Sequence, residues 1–187
     1  MTQNFLHFKF YKDIKEAYET PGFLYADIPD NISNEAELIE TYARVPWMPE
    51  YFGKNLNALD ECLRDVVFYP ASVNKIIHHD IPTFAQGDWA GYYLDVLNRA
   101  IQYLELHREL KNKTKPPYAS ELRVYFPIDS KSEIERLIQK FGTGDIKARV
   151  LQNEEAKQGI LHWGEDVIKS GYWQQWRKKV GLPENPE

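Results

Sequence analysis

Apolar and polar positions along this 187-residue chain recur with two periods, about two and about three and a half, and the switches between them mark out the elements. Phe5-Leu6-His7-Phe8-Lys9-Phe10-Tyr11-Lys12 alternates in part and reads as a strand or an arm, since aromatic side chains suit a pleated surface. After Pro21, the run Gly22-Phe23-Leu24-Tyr25-Ala26-Asp27-Ile28 is short, apolar and rich in large side chains, as a buried strand is. Ser33 or Asn34 is then placed to cap a helix, because Asn34 has Glu37 three residues on, and Leu38, Tyr42 and Val45 return at helical spacing. Pro46, Pro49 and Gly53 break that spacing and make 45–53 a loop. A second helix starts near Asn55. Its apolar residues Leu56, Leu59, Leu63 and Val66 lie three or four apart, and Asn57, Asp60, Glu61 and Arg64 follow the same spacing one step round the cylinder.

Further on, 71–77 is a weaker strand pattern, and 91–107 repeats helically through Leu94, Leu97, Ile101 and Leu104. The lysine- and proline-bearing stretch 111–117 reads as an exposed loop, and Leu122-Arg123-Val124-Tyr125-Phe126-Pro127-Ile128 as a strand that Pro127 ends. Three strands separated by helical segments too long for hairpins require crossovers. The expectation is therefore an α/β fold, with a small three-stranded parallel sheet packed by helices. Beyond Asp129, Ser130 and Glu133 form a capping-box pattern for a helix to about Lys140, Gly142-Thr143-Gly144 is a turn, and 154–180 is helical with breaks at Gly159, Gly164 and Gly171. The division implied is an arm or extra strand at 1–20, a central domain at 21–128, and a helical extension at 129–187 packed on it.

Composition narrows the function more than the fold. A hydrophobic content of 43% with 14% aromatic residues predicts a packed core, and a net charge of −5 gives no general reason to bind nucleic acid, whose phosphates reward clustered cations. A basic partner suits such a surface better. The single cysteine, Cys62, can form no intramolecular disulfide, and the N-terminus lacks a basic segment leading into an apolar run. No stretch approaches the roughly 20 apolar residues of a membrane span, so the expected location is cytoplasmic, with no membrane contact.

Residues 49–63 read Pro-Glu-Tyr-Phe-Gly-Lys-Asn-Leu-Asn-Ala-Leu-Asp-Glu-Cys-Leu. This resembles the signature of the barstar family, in which two aromatics, a glycine and an asparagine precede a helix ending in an acid, a cysteine and a leucine. The resemblance extends by pattern over 21–128. It implies a non-catalytic protein that needs no cofactor or metal and blocks a ribonuclease active site, as an immunity protein does for a cell that makes its own toxin. On that resemblance the partner-contacting residues fall on Tyr51, Phe52, Asn55, Asn57 and Glu61, with Glu61 as the acid standing in for substrate phosphate, and Asp60 and Arg64, on the same polar face of the helix, are expected to join them. Departures are visible too: the family's acid is usually Asp, Asn57 stands where Asp is frequent, and Asp60 replaces a common Trp, which points to a different target nuclease. The physical logic is independent of the name. A ribonuclease site lined with Arg, Lys and His rewards an incoming carboxylate with charge-assisted hydrogen bonds, and between Pro49 and Asp65 four acids face two bases. The alternative is a non-catalytic interaction module of the same fold with a partner other than a nuclease.

Other residues have plainer readings. Asn55 suits a helix cap, Cys62 a small buried residue beside the apolar stripe, and Glu61 alone could be half of a helix ion pair with Arg64. Adjacent histidines such as His78 and His79 rarely converge on one metal, and Gly142-Thr143-Gly144 lacks the lysine of a phosphate loop. Trp173 and Trp176, beside Arg177, Lys178 and Lys179, suit a terminal helix docked by its tryptophans on the core.

Overall fold

The computed structural model describes residues 6–65, 69–82, 88–110, 120–162 and 169–182. Along the chain the elements are β1 (Lys9–Tyr11), α1 (Ile14–Glu19), β2 (Phe23–Ile28), α2 (Glu35–Ala43), α3 (Leu56–Arg64), β3 (Val73–His78), α4 (Trp89–Leu110), β4 (Glu121–Pro127), a 3-10 turn (Ile128–Ser130), α5 (Lys131–Phe141), α6 (Ile146–Leu151), α7 (Glu154–His162) and α8 (Tyr172–Lys179). The four strands form one parallel sheet in the order β1-β4-β3-β2. The expected α/β class with a parallel sheet is what the chain adopts, but with four strands rather than three. The N-terminal segment supplies the fourth, Lys9, Phe10 and Tyr11 pairing with Tyr125, Phe126 and Pro127.

A parallel sheet needs cover on both faces. On one face Ile76, Val124 and Phe126 pack with Leu38, Tyr42, Leu59, Leu63, Leu94, Leu97 and Ile101 from α2, α3 and α4 in a single core. On the other face α1 supplies Ala17, which joins Tyr11, Ile77 and Tyr125 in a smaller cluster. The alternation explains how Ile76 and Ile77, neighbours in β3, serve different layers. Helix α1 has a signal that the periodicity reading passes over: Asp13 accepts from Lys15 N, and Glu16 returns to the Asp13 N–H, a capping box on a helix of only six residues. Its far end is held from the sheet, where Lys75 Nζ donates to the carbonyls of Ala17, Tyr18 and Thr20 at 3.0, 2.9 and 2.7 Å. A lysine ammonium thus satisfies three carbonyls at the negative end of the helix.

Helices α5, α6 and α7 pack on α4. Ile134, Leu137, Trp173 and Trp176 are in the main core, and Arg177, enclosed beside Trp173, donates to the Pro70 carbonyl at 3.1 Å. The tryptophans therefore dock on the core. Two local expectations are corrected. Ser130 sits at the N-cap of α5 in a helical backbone conformation and makes no side-chain cap bond, because the 3-10 turn runs straight into the helix. Helix α7 runs through Gly159 without a break, its neighbours on both sides keeping helical hydrogen bonding, whereas Gly171 at φ 73° does stand before α8. Gly164, Val66 and the expected loop 111–117 lie outside the described residues. No described helix is long and apolar enough to cross a membrane.

The two histidines diverge as neighbours in an extended chain must. His79 is at the surface with Asp27 and Tyr18, at 3.0 and 3.1 Å. His78 is fully enclosed, 2.7 Å from Tyr93 Oη, which in turn is 2.7 Å from Tyr42 Oη. Burial drives the His78 imidazole from the ordinary 6.5 down to about 3. Neutral in the folded protein, it gains a proton more readily in the unfolded chain. Its contribution to stability is therefore complete above pH 6.5 and is lost as pH falls towards 3. Between pH 7 and pH 5 this group alone is expected to remove about 2 kcal/mol of unfolding free energy. Urea denaturation at the two pH values checks this: a His78→Gln chain should lose about 2 kcal/mol less than wild type on the same shift, and equal losses in both contradict a buried neutral imidazole.

Candidate protein-binding face

The turn before α3 is compact. Phe52 N–H donates to the Pro49 carbonyl at 2.9 Å, and Lys54 is held at φ 48°, a left-handed conformation that non-glycine residues adopt at a cost. Asn55 closes the turn with both ends of its amide. Its Oδ1 accepts from Ala58 N at 2.9 Å and its Nδ2 donates to the Gly53 carbonyl at 3.0 Å, so it is the helix cap and also the clasp of the loop. At the other end Tyr69 Oη donates to the Leu63 carbonyl at 2.7 Å. Leu59, Cys62 and Leu63 are buried against the core, which fixes which side of α3 faces out.

Asp60 does not face out. It is 7% exposed and lies between two arginines, with Arg64 at 2.8 Å and Arg99 of α4 at 3.4 Å. Arg99 also reaches Asp95 at 3.2 Å, and Asp95 accepts from the Thr143 backbone N–H and hydroxyl at 2.8 and 3.1 Å. A chain of charges thus ties α3 to α4 and to the turn after α5. Burial pushes the Asp60 carboxyl upward while Arg64 and Arg99 pull it down. Arg64 lies with its guanidinium 4.9 Å from the Tyr103 ring centroid.

Of the residues read from the sequence, Tyr51, Asn55, Asn57 and Glu61 are exposed together along the loop and the outer side of α3, with Tyr51 62% exposed. Phe52 and Asp60 leave that set. Phe52 is turned into the core, where an aromatic ring gains more than at the surface, and Asp60 faces α4 because Arg99 stands opposite it. Arg64 is half-buried on Asp60 and Tyr103. The excess of acids between Pro49 and Asp65 is also partly spent. Glu50 pairs with Lys179 of α8, while Lys54 pairs with Glu40 of α2. Glu61 differs from these: it makes no hydrogen bond or ion pair with any described residue.

Two hollows flank Glu61 and Tyr51. One, about 300 Å³, is lined by Tyr51, Glu61, Arg64, Asp65, Tyr103 and Ile160. The other, about 850 Å³, runs between the Pro46–Tyr51 turn and α8, bordered by Met48, Tyr51, Tyr172, Gln175, Trp176 and Lys179. The C-terminal helices therefore border the same surface as α3. Tyr103, Arg99, Asp95 and Tyr172 were not picked out from the sequence. Arg99 sits at i+4 from Asp95, a spacing that could have marked the pair, but nothing in sequence shows Asp60 across from it. Among the described residues no group of three or more His, Cys, Asp or Glu side chains could hold a metal.

Residues 22–115, half of the chain, match the family model Barstar (barnase inhibitor). Comparison with curated proteins and comparison with solved structures give no match. The matched stretch runs from β2 past α4, so β1, α1, β4 and α5–α8 lie beyond it.

The enclosed position of Asp60 gives it a structural role. Asp60→Ala, leaving Arg64 and Arg99 short of their shared carboxylate, is expected to lower unfolding free energy by about 2 kcal/mol in chemical denaturation. A loss within about 0.5 kcal/mol, the range of an ordinary surface change, contradicts it.

Proposed function

The chain belongs to the barstar family, and from that membership we propose that it binds a ribonuclease and blocks its active site, acting as an immunity protein for a cell that makes the nuclease. Glu61 carries the reading. It is an exposed carboxylate on the outer side of α3 and has no hydrogen-bonding or ion-pairing partner among the described residues, whereas Asp60, Glu50 and Glu40 each hold a cation of the same chain. A nuclease that binds phosphate presents Arg, Lys or His in a partly dehydrated site, and a carboxylate delivered there makes short, charge-assisted hydrogen bonds. The carboxylate occupies the place of the substrate phosphate and undergoes no reaction.

The helix that carries Glu61 is held from both ends, by the Asn55 clasp and the Tyr69 hydroxyl, and from the side by Asp60. Little conformational freedom in this helix remains to be lost on binding, which favours a slow dissociation rate. Tyr51 adds a large, rigid and partly apolar ring beside the acid, the kind of side chain that anchors interfaces. Asn57, exposed one helical turn before Glu61, completes the face with a polar group able to both donate and accept.

The experiment isolates a ribonuclease from source-cell lysate on immobilised wild-type chain, then titrates the purified enzyme with soluble chain in a fluorogenic RNA-cleavage assay. Stoichiometric inhibition is expected, with Glu61→Ala weakening it about 30-fold, equivalent to about 2 kcal/mol, as for an interface hot spot. Retention of no RNA-cleaving activity, or inhibition by Glu61→Ala equal to wild type, contradicts the reading.

A further inference from the structure

The loop that carries Tyr51 is backed unequally on its two sides. Towards α8, Pro46, Met48, Pro49, Glu50 and Tyr51 border the hollow of about 850 Å³, and the pair that Glu50 makes there with Lys179 joins two exposed side chains, an attraction that water weakens. Towards the sheet, Trp47 reaches β2, an edge strand. The register of β2 on β3 skips Tyr25: Leu24 faces Lys75 and Ala26 faces Ile76. A bulged residue of this kind drops out of the ladder, and its backbone needs another partner. Trp47 supplies one. Its Nε1–H donates to the Tyr25 carbonyl at 3.1 Å, and its ring meets that of Phe23 edge-on, with 4.7 Å between centroids and 79° between planes. The acceptor is itself fixed, because the Tyr25 side chain is 2% exposed and lies against Tyr69, with 5.1 Å between ring centroids.

Val45, Met48 and Phe52 also lie in the core, but burial has no preferred direction and sets only the depth of the loop, whereas an N–H···O bond weakens off its axis and sets an orientation. Pro49, between Trp47 and Tyr51, locks one φ and restricts Met48 before it, so the aim set at Trp47 is carried along the chain. We propose that Trp47 is a positioning residue for partner binding: clamped on the β2 bulge, it aims the loop so that Tyr51, 62% exposed, stands beside Glu61, and it acts through Tyr51 rather than by touching the partner. The inference rests on the reading of the loop and α3 as the partner-binding surface, and adds to it the residue that holds the loop in register with the helix. Without the indole N–H the loop can lean into the hollow, and binding must then narrow a wider range of Tyr51 orientations.

The test has two arms and uses Trp47→Phe in the full chain, which keeps a ring against Phe23 and removes the N–H. In the free chain, NMR follows amide hydrogen exchange at Met48 and Phe52, whose N–H groups donate to the Val45 and Pro49 carbonyls, and at Gly142, which closes the end of α5 on Ile138. Met48 and Phe52 are expected to exchange about fivefold faster in the variant, as for the loss of one hydrogen bond, with Gly142 unchanged. In the second arm the dissociation rate of a ribonuclease recovered on the immobilised chain is compared among wild type, Trp47→Phe, Tyr51→Ala and the double variant. Trp47→Phe should speed dissociation at least about threefold when Tyr51 is present and leave the rate unchanged when residue 51 is already Ala, since a residue acting through Tyr51 has nothing to add once that ring is gone. Exchange unaltered at Met48 and Phe52, exchange raised alike at Gly142, or the same factor in both Tyr51 backgrounds overturns the proposal. The two readings fail separately: recovery of no ribonuclease refutes the proposed function, while the exchange of the free chain still decides whether Trp47 holds the loop.

Discussion

Asp60, enclosed between Arg64 and Arg99, is the contact on which the geometry of the exposed face depends. A carboxylate taken out of water is costly unless cations and hydrogen bonds meet it, and both arginines come from helices whose apolar sides are already fixed in the core. With Leu59, Cys62 and Leu63 on the core and Asp60 turned towards α4, the side left to face outward is the one that Glu61 occupies, about 200° round the cylinder from Leu59. The same network continues through Asp95 to Thr143, so the turn after α5 helps to hold α4 against α3.

The additions outside the family-matched stretch have physical work in the fold. Strand β1 covers the edge of β4 that three strands would leave unpaired, and α1 covers a sheet face that would otherwise expose Ile77 and Tyr125. Lys75 makes this cover specific by spending its ammonium on the three carbonyls at the end of α1. At the other end of the chain, Trp173, Trp176 and Arg177 dock α8 beside the Pro46–Tyr51 turn, and Lys179 meets Glu50 there. The extension enlarges the core and also reshapes the surroundings of Tyr51.

Much of the fold was legible because its signals are local. The runs at 22–28 and 122–128, the cap at Asn34 and the stripe through Leu56, Leu59 and Leu63 all depend on residues within a few positions of one another. The fourth strand was only half legible, because three residues of β1 carry little periodicity and acquire their pairing from β4, more than a hundred positions away. Helix α1 is too short for a periodic stripe, though its capping box was there to be read. The exposed face divides in the same way. Asn55 as a cap and the outward side of Glu61 follow from helical spacing, whereas the inward turn of Asp60 and Phe52 depends on Arg99 and the core, partners that spacing cannot bring together.

The proposed place of contact can be observed directly by amide hydrogen exchange of the full chain, alone and saturated with a ribonuclease recovered on the immobilised chain. Slowed exchange is expected across 49–65, with the strongest protection in the loop at Tyr51 and along α3. Unchanged exchange at 49–65, with protection confined to α1 or the β2 edge of the sheet, would contradict a binding face built on Glu61.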